Sequence, residues 1–246
     1  TEIRARAVVE REARFLVSEP SVHRAAARLT ALGPFRVIRR HHERQHNTYF
    51  DTDDMRLWGA KSVLKLRETA SAREVTFKKA LAYRDGVASR LEVTARIRPA
   101  QRDWMSRGGV AIEPMRRVRH LIGAQRLRKL FTIVTDRTTL ILAQRRPASL
   151  KLRRGLSEAR RAKEGHRVEL DVDRVAVRHR RRVAARRLEI EVENLSATPA
   201  VFRAAITALR QRYHRGLRLS GVSKFEFGRR VCYTRCSRHG TFARLH

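Results

Sequence analysis

Cysteine is nearly absent: Cys232 and Cys236 are the only two among 246 residues, and both fall close to the C-terminal end. Two such residues cannot supply a disulfide framework, and their scarcity points to a reducing cytoplasm. No apolar stretch approaches the roughly 18 residues that a membrane-spanning helix needs. No secretory signal pattern opens the chain, which starts at Thr1 rather than methionine, so prior processing or trimming is an expectation. A linker rich in Gly, Ser or Pro is missing from the middle, which favours one domain. A glycine-rich phosphate loop is missing too, which argues against a Walker-type nucleotide site. Acid is scarce: 24 Asp and Glu face 57 Lys and Arg, a formal net charge of +33. A chain that repels itself so strongly should keep polyanionic company, whether nucleic acid, polyphosphate, nucleotides or an acidic membrane surface.

What is present suffices for a folded core. Hydrophobic residues make up 42% of the chain, and apolar runs at 130–134 and 138–142 argue against disorder. Segments 6–17, 46–52, 62–68, 73–80 and 87–97 are rich in Val, Leu, Phe, Tyr and Thr and predict strands. Residues 130–143, 149–154, 166–177 and 187–194 predict a second set, and 223–227 reads as strand-like or extended. Helical spacing predicts helices at 19–32, closed by Gly33-Pro34, and at 199–213, with another opening at Pro114 and a short one after Pro99. Two strand-rich halves with helices after each fit an α+β fold or a barrel with helices outside.

The charges fall on alternate strand positions, and alternate positions share a face. In VVEREARFLV (8–17), Glu10, Glu12 and Arg14 lie together. VLKLR puts Lys65 with Arg67, EVTFK puts Thr76 with Lys78, and RLEVT puts Arg90 with Glu92. Later, ELDVD aligns Glu169, Asp171 and Asp173, while EIEVE aligns Glu189, Glu191 and Glu193. One wet sheet face explains any single such strand. Some six strands doing so, with the signs segregated by strand, point instead to a charged interior. Crowded carboxylates need a divalent cation or basic neighbours. Carboxylates hold hard metals through oxygen, and Lys and Arg hold phosphate oxygens, so the residues imply a cavity for metal plus polyphosphate.

These strands resemble a known family. EREAR (10–14) resembles the ExExK signature of the CYTH superfamily, the triphosphate tunnel metalloenzymes, with arginine in the lysine slot. NTYFDTDDMRLWGAKSVLKLRE (47–68) is similar to that family's second and third strands, and VTFKK with DGVASRLEV to its fourth and fifth. LEIEVEN, a helix and SKFEFG (223–228) resemble its closing pattern. The resemblance covers about residues 6–228. It implies a tunnel domain over 1–228, built as an eight-stranded antiparallel barrel with helices packed outside, and a basic, poorly ordered tail over 229–246.

The resemblance also implies an activity: metal-dependent hydrolysis of a linear triphosphate, inorganic or organic, with Mg²⁺ or Mn²⁺. By position, Glu10, Glu12, Glu189 and Glu191 would hold metal. Arg14, Lys65, Arg67, Lys78, Arg90, Arg137 and Lys224 would hold phosphate, and Glu92, Glu169 and Asp171 would support a second metal or orient water. Such chemistry needs positioning and charge neutralisation, with no Ser, Cys or His nucleophile. Alternatives on the same fold are RNA 5′-triphosphatase, adenylyl cyclase, or a module that binds polyphosphate or nucleic acid without turning it over. Among the remaining motifs, His41, His42 and His46 read as surface residues and Trp58 and Trp104 as packing residues. CYTRCSRH (232–239) lacks a fourth zinc ligand. The run RHRRRVAARR (178–187) reads as a solvated strand flank or an external polyanion patch, a route by which nucleic acid could be a partner.

Overall fold

A computed structural model describes residues 5–98, 104–105, 112–144, 166–180 and 182–233. The strands are β1 (Ala5–Val17), β2 (Ala31–Leu32), β3 (Phe35–Asp51), β4 (Ser62–Glu68), β5 (Arg73–Arg84), β6 (Val87–Ile97), β7 (Arg128–Gln144), β8 (Arg167–His179), β9 (Arg182–Asn194) and β10 (Leu217–Leu219). The helices are α1 (Pro20–Ala27), α2 (Arg56–Gly59), α3 (Glu113–Ile122), α4 (Pro199–Arg212) and α5 (Lys224–Tyr233). Eight long antiparallel strands run in the order β1-β6-β5-β4-β3-β7-β8-β9, and β9 pairs back onto β1 to close a ring. The two short strands hang on it, β2 on β3 and β10 on β1. Pairing of β9 back onto β1 closes the sheet and creates an interior.

Period two sorts the side chains. On β4 and β5, Leu64, Leu66, Val75 and Phe77 point outward onto Met115, Val118 and Ile122 of α3 and onto Leu57 of α2. On β1, β7, β8 and β9, Phe15, Leu140, Leu170 and Ile190 point outward under α1 and Phe202, Ala205 and Leu209 of α4. The intervening positions, which carry the charges, are left facing in. Two of the three apolar clusters therefore lie between the barrel and its helices, and the charged alternates of these strands line the interior.

One end of the interior is apolar. Tyr49, Phe131, Ile133, Val175 and Val177 meet Phe225 and Cys232 of α5 there, and Phe225 stacks against Tyr49, Trp58 and Phe131 at 5.5–5.7 Å between ring centroids. This corrects the extended reading of 223–227. The Ser223 hydroxyl accepts the backbone N–H of Glu226, so Ser223 and Glu226 stand as the N-cap and third residue of a helix. Phe225, Gly228 and Cys232 then share its buried face. The helix continues through Tyr233, so the first residues assigned to a poorly ordered tail are part of the plug. A Cβ on Gly228 would press into the Phe131 ring. Gly228→Ala is expected to destabilise by about 1–3 kcal/mol despite the better helix propensity of alanine, measured by chemical denaturation.

Other expectations shift at their boundaries. The first helix stops at Ala27, because Gly33 (φ +52°) turns the chain so that Ala31 and Leu32 pair with Arg36 and Phe35. Strand β3 begins at Phe35 rather than 46. Its first half is mostly exposed and shows no apolar alternation, and it is held by backbone pairing to β7 from Phe35↔Gln144 onward. The arginine run forms both arms of the β8–β9 hairpin, turning at Arg180 (φ +46°). His41, His42 and His46 are exposed, and Trp104 packs edge-on against Phe50. The strand expected at 149–154, most of the helix after Pro99, and Cys236 with His239 lie outside the described residues. Among the described residues no helix is long and apolar enough to cross a membrane.

Candidate active site

The ring encloses a cavity of about 530 Å³. Of the residues singled out from the sequence, Glu10, Glu12, Arg14, Lys65, Arg67, Lys78, Arg90, Glu92, Arg137, Glu169, Glu191 and Lys224 all line it. Asp171 and Glu189 do not: both lie on the inward strand faces but are fully buried, at 2% and 0% exposure. The Asp171 carboxylate accepts from the Thr139 hydroxyl and meets Arg137 at 2.5 Å, and Glu189 pairs with Arg187 and Lys224.

Strand register decides which charges meet. Opposite signs face each other at Glu10↔Arg90, Lys78↔Glu92 and Arg137↔Asp173. Like signs face each other where β8, β9 and β1 adjoin, at Glu169↔Glu193, Asp171↔Glu191, Asp173↔Glu189 and Glu12↔Glu193. Directly opposed like charges repel, so these rows require counter-charge from elsewhere.

Deep in the barrel the protein supplies that counter-charge itself. Glu191 takes Arg14 Nε at 2.6 Å, Lys224 Nζ at 2.7 Å and Arg137 at 3.0 Å. Arg137 also forks onto Asp173, at 2.8 and 2.6 Å, and Lys224 meets the same carboxylate at 2.9 Å. Burial alone would raise the Glu191 carboxyl, but Lys224, Arg14 and Arg137 outweigh it and hold it well below the usual range. Arg14 is held between Glu12 and Glu191 at 5% exposure. Its guanidinium thus orders two carboxylates in place of the lysine that the motif favours.

The opposite wall is basic. Lys78 sits 2.6 Å from both Glu10 and Glu92. Burial would lower its ammonium, yet those two carboxylates hold it above its ordinary value; in turn burial would raise Glu92, while Lys78 and Lys65 bring it down to about 2. Lys65 makes no ion pair among the described residues, and Arg67 makes only a 3.3 Å hydrogen bond to Asn47. Burial, with Arg67 and Lys78 nearby, pushes the Lys65 ammonium well below its ordinary value. A buried cation beside two others is stabilised by an arriving anion, so Lys65 and Arg67 are the part of the wall that lacks its charge partner.

Glu169 and Glu193 are the acidic counterpart. Neither makes an ion pair among the described residues. Burial raises both, and Glu193, which also faces Glu10 and Glu169, is pushed up to about 9. Oxygens of Glu169, Asp171 and Glu193 lie within 4.8 Å of one another, as do those of Asp173, Glu189 and Glu191. The second group is already neutralised by Lys224, Arg137 and Arg187. In the first, Asp171 is paired with Arg137 while Glu169 and Glu193 are short of positive charge, and their hard oxygens suit a divalent cation. Glu193 was visible in EIEVE as the next alternate residue after Glu191; the same period-two extension finds Asn47 and Gln45, which also line the cavity. Asp51, in the YFDT stretch, is structural. Its carboxylate accepts the N–H groups of Thr52, Leu57 and Trp58 at 2.7–2.9 Å and fixes the turn into α2.

The fold is a closed antiparallel ring whose inner face carries segregated cations and carboxylates, a charged tunnel whose acidic cluster is compatible with a divalent metal. The chain belongs to the CYTH family: the model of the CYTH domain matches residues 9–226. Among solved structures, an adenylate cyclase candidate of Bacillus halodurans is similar with a TM-score of 0.60 and 20% identity, over 90% of this chain and 98% of that one. HpAC1 from Hippeastrum, an adenylyl cyclase candidate described as having a dominant triphosphatase activity, is similar with a TM-score of 0.58 and 20% identity, over 89% of this chain and 95% of that one. A search of curated protein sequences finds no match to this chain.

Proposed function

We propose that this protein is a divalent-metal-dependent phosphohydrolase of linear triphosphates. The observation that carries this reading is the split interior: Lys65 and Arg67 lack counter-charge on one wall, Glu169 and Glu193 lack it on the other, and one cavity separates them. A triphosphate would satisfy the first pair, helped by Lys78 and Arg90, and a divalent cation the second, helped by Glu10 and Glu12. The cation, when bound, supplies neutralisation of charge on the phosphate oxygens. The chain's own cations would hold and align the substrate, and Glu92 and Glu169 would orient a water. Positioning and electrostatics are most of what phosphoryl transfer requires of a protein. The Phe225 plug closes one end, which favours a substrate entering by a phosphate terminus. A triphosphatase activity also agrees with the one described for HpAC1.

The test is phosphate release from tripolyphosphate, ATP, thiamine triphosphate and long-chain polyphosphate, each with Mg²⁺, Mn²⁺ or chelator. Release from at least one linear triphosphate is expected only with metal. Lys65→Met and Arg67→Met are each expected to raise KM about tenfold, the ~1.4 kcal/mol of one charge-assisted contact. Tight binding of tripolyphosphate in chelator with no release under any condition would replace the hydrolase by a binding module.

A further inference from the structure

The outer face of the barrel carries a second basic feature that the cavity chemistry leaves unused. Two depressions of about 500 and 390 Å³ lie along β3, β7, β8 and β9, and they join where Asp136 and Arg174 line both. Register places Arg44, Asp136 and Arg174 side by side on adjacent strands, with Ala176 and Arg186 opposite each other two residues on. These outward positions alternate with the inward Arg137 and Asp173. Arg24 of α1 and Arg28, just after it, flank one depression, and Arg178 and Arg186 of the β8–β9 hairpin flank the other.

The six arginines, at 24, 28, 44, 174, 178 and 186, are exposed. The groove offers them one acid: Asp136, 3.8 Å from Arg44. The other five make no ion pair among the described residues. Some exposed arginines elsewhere do find local carboxylates, as Arg56 does with Asp54 and Arg128 with Asp53, so what marks the groove is the clustering of its arginines in one pair of joined depressions. The arginines here span three inter-strand spacings across and several residues along the strands, roughly 14 Å by 13 Å at standard sheet dimensions. That is a patch for several phosphates rather than one. Among the described residues no Phe, Tyr or Trp lines either depression. Single-strand binders rely on aromatic stacking platforms, so their absence favours contact with a duplex backbone.

We propose that this groove binds double-stranded nucleic acid through its phosphate backbone, without reading sequence and independently of the tunnel. The groove lies outside the barrel wall, around Arg174 and Arg178, toward the end that Phe225 plugs, whereas Arg6, Arg96 and Leu195 line the other end of the cavity. A duplex on the groove therefore leaves the cavity free.

The experiment is fluorescence anisotropy with labelled 20-base-pair RNA and DNA duplexes over a salt series, with the full chain. Binding of either duplex is expected, with RNA and DNA arms identifying the source. Arg174→Gln with Arg178→Gln and Arg186→Gln is expected to weaken it at least about tenfold at 0.15 M salt and to flatten the salt slope by about 2.7, at roughly 0.9 per phosphate contact. Arg203→Gln with Arg210→Gln and Arg215→Gln removes the same charge from another exposed surface and should change affinity less than twofold. Circular dichroism melts verify that both variants fold, and saturating tripolyphosphate should leave duplex bound. Equal weakening by both variants, displacement by tripolyphosphate, or equally tight binding of poly-glutamate would each overturn the proposal.

Discussion

Glu191→Gln is expected to cost about 3–5 kcal/mol of stability, the scale for breaking a buried ion pair from one side. The inner cluster is balanced: Glu12, Asp171, Asp173, Glu189 and Glu191 face Arg14, Arg90, Arg137, Arg187 and Lys224 through direct ion pairs. Glutamine keeps the shape and loses the charge, so Arg14, Arg137 and Lys224 are left with one positive charge uncompensated at 5–13% exposure. Denaturant unfolding measures the loss, and Arg14→Met on top of Glu191→Gln should recover part of it, because the surplus cation goes too. A loss below about 1 kcal/mol would mean that the cluster relaxes freely, contrary to burial this deep. The sign with pH follows from the depressed Glu191 carboxyl. Its folded value lies below its unfolded one, so its contribution is complete above the ordinary carboxylate value and fades as pH falls through the folded value.

That cluster also marks how far the sequence could be read. The alternation in EREAR, KLR, RLE and EIEVE told which side chains share a face, because strand geometry leaves only two faces. The ring, and the inward direction of the charged face, then follow from the apolar alternates needing helices over them. Register was not legible. Nothing in ELDVD or EIEVE says that Asp173 opposes Glu189 and Asp171 opposes Glu191, and a slip of two residues would preserve every face while exchanging every partner. For that reason Glu189 and Asp171 read as site residues as well as Glu191 does, whereas depth in the barrel and the reach of Lys224 separate them. Lys224 itself comes from α5, whose capping Ser223 and Glu226 were present in SKFE but were outweighed by its alternating aromatics, Phe225 and Phe227. The first half of β3 left no pattern, because a strand wet on both faces has no apolar period.

Glu193→Gln should have the opposite effect on stability from Glu191→Gln, although the two residues are neighbours on one face of β9. Glu193 opposes Glu169 and Glu12, faces Glu10, and makes no ion pair among the described residues, so folding brings its carboxylate toward like charge. In metal-free protein its folded value, about 9, lies above the unfolded one. The stability it allows is therefore fully present below the ordinary carboxylate value and is lost as pH rises toward 9. Glutamine removes that loss, so the metal-free variant should melt higher than the parent at pH 8, with the difference shrinking toward pH 4. The same substitution should reduce metal-dependent phosphate release by at least about 100-fold, as expected when a metal site loses a ligand. It should also abolish the rise in melting temperature that Mn²⁺ gives the parent, since only a ligand bound to the folded state produces that rise. A variant that melts higher without metal yet still gains from Mn²⁺ would move the cation away from Glu193 and onto the Glu10 side of the cavity.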